Sequence, residues 1–561
     1  MQTVTERYTL KRDGMKVALD IETNGLDPTC IHVVVCKNMD TGEVLSFREW
    51  EKDKLQSYLN QTDQLIMHNG ISYDLPNLKK LWDIDYSYSK VIDTLIISQL
   101  NNPIREGGNS LRNWGDILNF PKMNSPESFE AYTPMMHRYC ERDVEVTEKV
   151  YHHLRETMKG WSKHSVKLEH TVRRLLDLQK DNGFFIDRCK VQVLVASLSD
   201  ESNELEDHLV EIFEPTLVEL KTKTKIIPFN PQSRQQIGDR LVKRGWKPTK
   251  FTEKTGLPVV NEGTLAECKL PEAEYIRKYM LLSKRTSQIA SWVKAINPDT
   301  ERVHGNVITI GAVTNRMSHN SPNMAQIPAV YSPYGKECRE CWTVEDPDNY
   351  RLVGADASGL ELRCLAHYIN DDNYTKEILE GDVHTANQKM AGLQTRDQAK
   401  TFIYAFLYGA GASKIGSVVG EDARTGQRLI NKFLTSMPKL SSFRERTMEE
   451  AEETDMVKGL DGRYFHIKSS HAAVNTLLQG AGAIICKEWL CHITNYVKIK
   501  GLDAKPVANI HDEVQFEVHK KDAEEFCTIS KQAMKDTEES LNVRCPLDSE
   551  SKIGMNWSET H

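Results

Sequence analysis

The stretch Leu352-Val353-Gly354-Ala355-Asp356-Ala357-Ser358-Gly359-Leu360-Glu361-Leu362-Arg363 decides how the chain is read. Two apolar residues lead to an aspartate, small residues follow, and apolar and charged side chains then alternate. The pattern predicts a strand ending at Asp356 and a helix starting near Ser358, whose hydroxyl suits an N-cap. A carboxylate at such a junction is held rigidly at the rim of a sheet, where a hard cation can meet it. An aspartate there can equally serve only to cap the helix, and the rest of the chain has to decide.

Downstream, Gly381-Asp382-Val383-His384-Thr385 precedes a helical segment, Arg396 to Tyr408, closed by Gly409. Arg396, Lys400, Tyr404 and Tyr408 recur every four residues and drift only about 120° around the helix axis. One face thus carries two cations and then two aromatic rings, an order that suits the phosphates and the base of a nucleoside triphosphate. Asn475 and Gln479 share a face of a later helix. Pro506 to Val518 reads as a hairpin with His511-Asp512-Glu513 at its bend. Asp512, at a tight bend between apolar strands, is the natural second ligand for a metal held by Asp356. Upstream, His304 to Val313 alternates as a strand and enters Thr314-Asn315-Arg316. An arginine there can donate to minor-groove acceptors, which report pair shape rather than sequence.

The first 160 residues carry a second carboxylate set. Asp20 and Glu22 stand two apart on a predicted strand, so they project from one face. Strands are expected at Ile31–Cys36, Val44–Trp50 and Leu65–His68. Asp74 lies near the start of a helix, Asp93 caps another, and Tyr139 and Asp143 sit one turn apart on a third. Four acids without matching cations repel one another unless metal neutralises them. Two divalent ions can activate a water and stabilise the leaving oxygen of a phosphodiester, with a tyrosine hydroxyl orienting that water.

The ordered set Asp-x-Glu-Thr, Asn-Gly…Tyr-Asp and Tyr-x-x-x-Asp resembles the 3′–5′ exonucleases of the DnaQ-like proofreading superfamily, over nearly all of residues 15–155. It implies a mixed sheet flanked by helices, with Asp20, Glu22, Asp74 and Asp143 holding metals and Tyr139 placing the water. Asp-x-Ser-x-x-Glu-x-Arg, Arg-x-x-x-Lys-x-x-x-Tyr-x-x-x-Tyr-Gly and His-Asp-Glu, from about residue 165 onward, resemble the family A DNA polymerases of the polymerase I and T7-like phage type. The phage branch is the better match, so a phage source is expected.

The fold class implied is multidomain, α/β and α+β: a DnaQ/RNase H-like domain at 1–160 beside a right hand. Its thumb would span 161–300, its palm 301–370 and 465–561, and its fingers 371–464. The resemblance further implies that Asp356 and Asp512 bind two Mg²⁺ ions, Mn²⁺ being an alternative. Arg396, Lys400 and His384 would hold the triphosphate, Tyr404 would face sugar and base, and Tyr408 would guard the template side. Glu361 would crowd the 2′ position; Arg316, Asn475, Gln479 and His511 would contact primer–template DNA. Tyr at 404, where the family also carries Phe, implies weak rejection of dideoxynucleotides.

Composition agrees with such an enzyme. The 561 residues carry a net charge of −8, which argues against indiscriminate polyanion binding but leaves room for local basic surfaces. Lys221, Lys223, Lys225, Arg234, Arg240, Lys243, Arg244, Lys247, Lys250 and Lys254 form one, either a solvated basic face or a surface that tracks phosphates. No apolar run approaches the roughly 18 residues of a membrane span, and Met1 to Asp13 lacks a signal-peptide core. The expected location is the cytoplasm, the host's if the source is a phage. Twelve scattered cysteines suit reduced thiols, and the lone CxxC, Cys338 to Cys341, lacks a second pair for zinc. No domain-sized insertion interrupts 161–300, so the sequence neither requires nor excludes a processivity or replisome partner. A single-subunit RNA polymerase would need neither proofreading acids nor a residue like Glu361. A non-catalytic DNA-binding protein would be expected to have lost acids, and none is lost.

Overall fold

The computed structural model describes residues 14–219 and 224–561; Met1–Asp13, Lys221 and Lys223 lie outside them. The first unit is built on β1 (Lys16–Thr23), β2 (Ile31–Asn38), β3 (Val44–Phe47), β4 (Gln64–Met67) and β5 (Val91–Asp93), in the order β3-β2-β1-β4-β5. Alternation along β1 explains the layering. Val17, Leu19 and Ile21 enter the core beneath helix α1 (Asp74–Trp82). Ala18 faces the other way, against Cys140 and Val144 of α2 (Pro134–Thr157). Asp20 and Glu22 share that second face. Strand β1 also outruns its parallel neighbour: it pairs with β4 only over Lys16–Ala18, so both acids lie past the pairing, at the carboxyl end where α/β sheets bind ligands. The strand expected over Val44–Trp50 stops at Phe47, because Arg48 turns to stack on Trp50 and Tyr132.

Helix α3 (Lys163–Asn182) joins the two halves. The Asp93 backbone N–H donates to His170 Nε2 at 2.8 Å, and the Ser72 hydroxyl donates to Asp177 at 2.8 Å. Helices α4 (Arg188–Ile212) and α5 (Pro271–Ala295) then pack along their length, Val191 and Leu198 against Leu282 and Ile289 at one end, Leu209 against Ile276 and Tyr279 at the other. The strand expected over His304–Val313 is shorter: β6 (Asn306–Ile308) pairs with β7 (Ser318–Asn320). Beyond Ile308 the chain turns tightly, the Gly311 N–H donating to the Arg316 carbonyl at 3.0 Å and Asn315 adopting φ +54°.

The second sheet has the order β9-β10-β8-β11, from β8 (Tyr350–Ala357), β9 (Ala504–Ile510), β10 (Glu513–His519) and β11 (Ser549–Gly554). Strand β8 is central and antiparallel to both neighbours. Helix α6 (Leu360–Ile369) follows it, capped not by Ser358, as expected, but by Gly359 at φ +58°. Ser358 is instead spent on its backbone, which donates to the Asp548 carbonyl and accepts from Arg363 Nε. A glycine tolerates the left-handed turn at which β8 swings into α6. Helices α7 (Val383–Ala391), α8 (Arg396–Leu407), α9 (Ala473–Lys500) and α10 (Ala523–Ser540) complete the site's surroundings. Much of α9 is buried, Leu478, Ile484, Ile485, Trp489 and Ile493 among its core residues.

Cys338 and Cys341 are both buried, and the Cys341 thiol donates to the Glu337 carbonyl at 3.3 Å; the CxxC is packing. No helix among the described residues is long and apolar enough to cross a membrane.

Candidate active sites

Two acidic clefts emerge. In the first, the β9–β10 turn carries His511, at φ +56°, and Asp512. The Ala357 backbone N–H donates to the Asp512 carbonyl at 3.0 Å, and Asp356 stands opposite Glu513 in the ladder. Backbone pairing alone therefore brings together two acids far apart in sequence. Although Asp356 presents surface to solvent, the cleft walls withhold enough water to push its carboxyl up to about 7. Like charge on Asp512 and Glu513 adds to this. Asp512 is raised by burial and then by Glu361. Glu513 differs. Burial pushes it up, yet His561 Nδ1 at 2.6 Å holds its carboxyl below the usual range, and Trp557 Nε1 donates to it at 2.6 Å. It is a fixed charge behind the pair, not a third open ligand.

Glu361, in the first turn of α6, completes the cleft. The Tyr408 hydroxyl donates to Glu361 Oε1 at 2.8 Å, and Arg316 Nη2 lies 3.7 Å from the same oxygen. Tyr408 ends α8 as its C-cap rather than extending the helical stripe, and its carbonyl accepts from Asn475 Nδ2 at 3.1 Å. Gln479 Nε2 in turn donates to Asn475 Oδ1 at 2.7 Å. Arg316, Glu361, Tyr408, His511 and Asp512 line one cavity of about 300 Å³.

The other end of α8 is basic. Arg396 Nε donates to Asp382 Oδ2 at 2.7 Å, and both side chains are about half exposed. Asp382 also caps α7, accepting from the backbone of His384 and Thr385, and the Arg396 bond, followed by those from Thr385, holds its carboxyl far below the usual range. Burial, Arg396 and Lys400 together push the His384 imidazole down, which leaves it a neutral ring close to two cations. The His384 ring sits 6.1 Å from that of Tyr404. Tyr404 is raised by burial, and feels Glu361 and Asp512. Cations at one end of α8 and the acids Glu361 and Asp512, felt by Tyr404, at the other make a polar slot.

In the second cleft Asp20 and Glu22, on the α2 side of β1, lie close enough to Asp143 and Asp74 for the charges to act on one another. Burial pushes Asp20 up to about 8, with Asp143 adding to it, and Glu22 to about 9, with Asp20 and Asp143 adding. Asp74, the first residue of α1, is raised well above the carboxylate range by burial, then by Asp20. Asp143 is raised by burial against the pull of Lys122. The Asp143 Oδ1 atom is buried without a hydrogen-bond partner. Four mutually repelling hard-oxygen donors, one of them orphaned, fit a divalent cation. Cys140 lies within 4.8 Å of Asp20 and Glu22, but burial keeps its thiol protonated, and it donates to Asp20 Oδ2. It is a neighbour of the donor set, not a member.

Three further groups shape this cleft, and of them Lys122 had no motif to announce it. Lys122, from a loop without periodicity, pairs with Asp143 Oδ2 and lies 4.8 Å from the Tyr139 ring. Tyr73 donates to the Gly25 carbonyl at 2.6 Å and meets Thr23 Oγ1 at 2.6 Å, clasping the turn after β1. Asp93 caps its own helix through Leu95 N–H, as expected, but also accepts from the backbone of Asn69 and Ile71, fixing the loop that leads to Asp74.

The family model described as DNA polymerase family A matches residues 195–559, and that of the RNase H superfamily matches residues 17–113. The DNA-directed DNA polymerase of Enterobacteria phage T3 is 32% identical, the match covering 97% of this chain and 99% of that one. That of Escherichia phage T7 is 31% identical, over 97% and 100%. Among solved structures, the POL domain of Pol1 from M. smegmatis, in complex with DNA primer-template and dNTP, superposes with a TM-score of 0.82 at 17% identity, covering 98% of this chain and 96% of that one. The chain belongs to DNA polymerase family A, with an RNase H-like exonuclease domain at its N-terminal end.

Proposed function

We propose that this polymerase extends a primer 3′-OH with deoxynucleoside triphosphates at the Asp356–Asp512 cleft, and excises mispaired 3′ nucleotides at the Asp20–Asp143 cleft. The observation that carries the reading is the bond from the Ala357 N–H to the Asp512 carbonyl, which fixes two elevated carboxylates side by side at the foot of the α8 slot. The chemistry of both donor sets favours Mg²⁺, two ions at each site, with Mn²⁺ able to replace it. Such ions supply charge neutralisation and activation of the attacking oxygen. Asp356 and Asp512 would hold one pair; Asp20, Glu22, Asp74 and Asp143 the other.

The remaining work falls to the chain's own groups. Arg396, Lys400 and His384 take the triphosphate. The Arg396–Asp382 pair is open to solvent and therefore weak, so a phosphate displaces Asp382 readily. Tyr404 packs against sugar and base, Glu361 closes the space at the 2′ position, and Tyr408 fixes Glu361 from the template side. Arg316, Asn475, Gln479 and His511 border the primer terminus, where donors can test the minor-groove acceptors common to all correct pairs. In the second cleft Tyr139 orients the attacking water. The solved neighbour's primer-template and dNTP support primer–template DNA and dNTPs as this chain's ligands. The domain limits that go with this reading are 1–160 exonuclease, 161–300 thumb, 301–370 and 465–561 palm, and 371–464 fingers.

Primer extension with Mg²⁺ tests the reading, comparing dNTPs with rNTPs on matched and 3′-mismatched primers. The expected result is dNTP-selective synthesis and removal of the mismatch. Asp20→Ala with Glu22→Ala abolishes removal and spares synthesis; undiminished removal refutes the assignment.

A further inference from the structure

Four charged side chains with no exposed surface sit behind the polymerase cavity: Glu169 of α3, Asp461 and Arg463, and Lys487 of α9. Asp461 Oδ2 accepts from Arg463 Nη2 at 2.8 Å, and Glu169 Oε1 accepts from Arg463 Nη1 at 2.6 Å. Lys487 Nζ donates to both Glu169 oxygens, at 2.8 and 2.9 Å. The charges balance, but burying such a set is a poor route to stability, because desolvation cancels most of the attraction. What it supplies is fixed geometry.

That geometry converges on one residue. Arg463 Nη1 donates to Asn315 Oδ1 at 3.0 Å, and Lys487 Nζ donates to the Asn315 carbonyl at 2.9 Å. Asn315 is 1% exposed and left-handed, at φ +54°. It immediately precedes Arg316, so the peptide bond leading into Arg316 is tethered at its oxygen by Lys487. Lys487 also lines the same cavity as Arg316, Glu361 and Tyr408.

We propose that Lys487 is a positioning residue for DNA synthesis: held by Glu169, it pins the Asn315 carbonyl and so aims Arg316 at the primer terminus. This rests on the reading of Arg316 as a primer–template contact. Burial pushes the Lys487 amine down to about 8, against the pull of Glu169, so it is charged at neutral pH.

The test uses the full chain and single-turnover dNTP insertion. Lys487→Met is combined with Glu169→Gln, so that no carboxylate is left facing an apolar group, and is compared with Arg316→Ala and with all three changes together. The expected result is non-additivity: the pair slows insertion about tenfold, and the triple variant is no slower than Arg316→Ala. A primer ending in 3-deazaguanine, which lacks the minor-groove N3 acceptor, should slow the wild type but not the pair. Excision rate and melting temperature report folding. If the pair does not fold, Lys487→Arg serves: it keeps the charge but replaces the compact ammonium with a bulkier planar fork that does not fit between Glu169 and the Asn315 carbonyl, and should lose most of the 3-deazaguanine penalty. Additive losses, or a full penalty in either Lys487 variant, overturn the proposal while leaving Arg316 in place. A wild-type rate in Arg316→Ala overturns both.

Discussion

The Tyr408 hydroxyl donates to Glu361 Oε1 at 2.8 Å, tying the end of helix α8 to the first turn of α6. The bond has a consequence for sugar selection. Glu361 is aimed rather than free, and burial with the Glu361 charge pushes the Tyr408 phenol up to about 12, so it remains a donor across the working range. Glu361→Ala should admit ribonucleotides, raising rNTP efficiency relative to dNTP at least tenfold. Tyr408→Phe removes one hydrogen bond, about 1 kcal/mol, and should relax selectivity by a smaller factor of about five. Single-turnover incorporation of paired dNTP and rNTP measures both. A Glu361→Ala enzyme as selective as wild type removes the assignment.

Tyr404 is half-buried, beside His384 and facing the acids. Its phenolic hydroxyl is the one polar group that Phe would lack there. Tyr404→Phe should therefore keep dNTP insertion within about twofold while reducing dideoxynucleotide insertion far more. Competition between dTTP and ddTTP on one template reads the ratio directly. Equal use of both by the Phe variant contradicts the role given to the hydroxyl.

Much of both clefts was legible because several of their acids sit on regular elements. Asp20 and Glu22 share a strand face, and Tyr139 and Asp143 share a helix face, so period alone placed them. Asp512 is paired with Asp356 from its place at a tight bend between apolar strands, but the strand register that brings them together leaves no local signal. Ser358 misled because an N-cap hydroxyl is the usual helix start, whereas the swing from β8 selected a left-handed Gly359. Lys122 and Lys487 stayed hidden for opposite reasons. One lies in a loop without periodicity; the other stands on a helix that proves to be largely buried.

The elevated carboxylates set the pH dependence of the metal-free protein. Asp20, Glu22 and Asp356 are pushed up to about 8, 9 and 7. The folded state thus holds protons that the unfolded state has released, from about pH 4 upward. Their contribution is complete below the unfolded values and is lost as pH rises through the folded ones. In EDTA the melting temperature should fall by several degrees between about pH 5 and pH 9. Millimolar Mg²⁺ should restore it at the alkaline end and change little at the acid end, because the cation competes with those protons. Asp20→Asn with Glu22→Gln should flatten the EDTA profile. Calorimetry across this range decides; a profile equally steep in that variant shows that other groups titrate.

Lys122 supplies the last test. Its ammonium contacts Asp143 Oδ2 inside the excision cleft and lies over the Tyr139 ring. A positive charge against the ligand set opposes a divalent cation, by roughly a kcal/mol or more at the effective dielectric of a partly buried site. It also raises the site's attraction for a phosphodiester, which the four acids alone would repel. Lys122→Met should therefore tighten Mn²⁺ binding about tenfold and weaken single-strand binding at the same time. Titrating Mn²⁺ by electron paramagnetic resonance, with Asp356→Ala and Asp512→Ala silencing the polymerase cleft, isolates the site. Weaker Mn²⁺ binding in Lys122→Met would mean that the lysine holds Asp143 in place for the metal instead of competing with it.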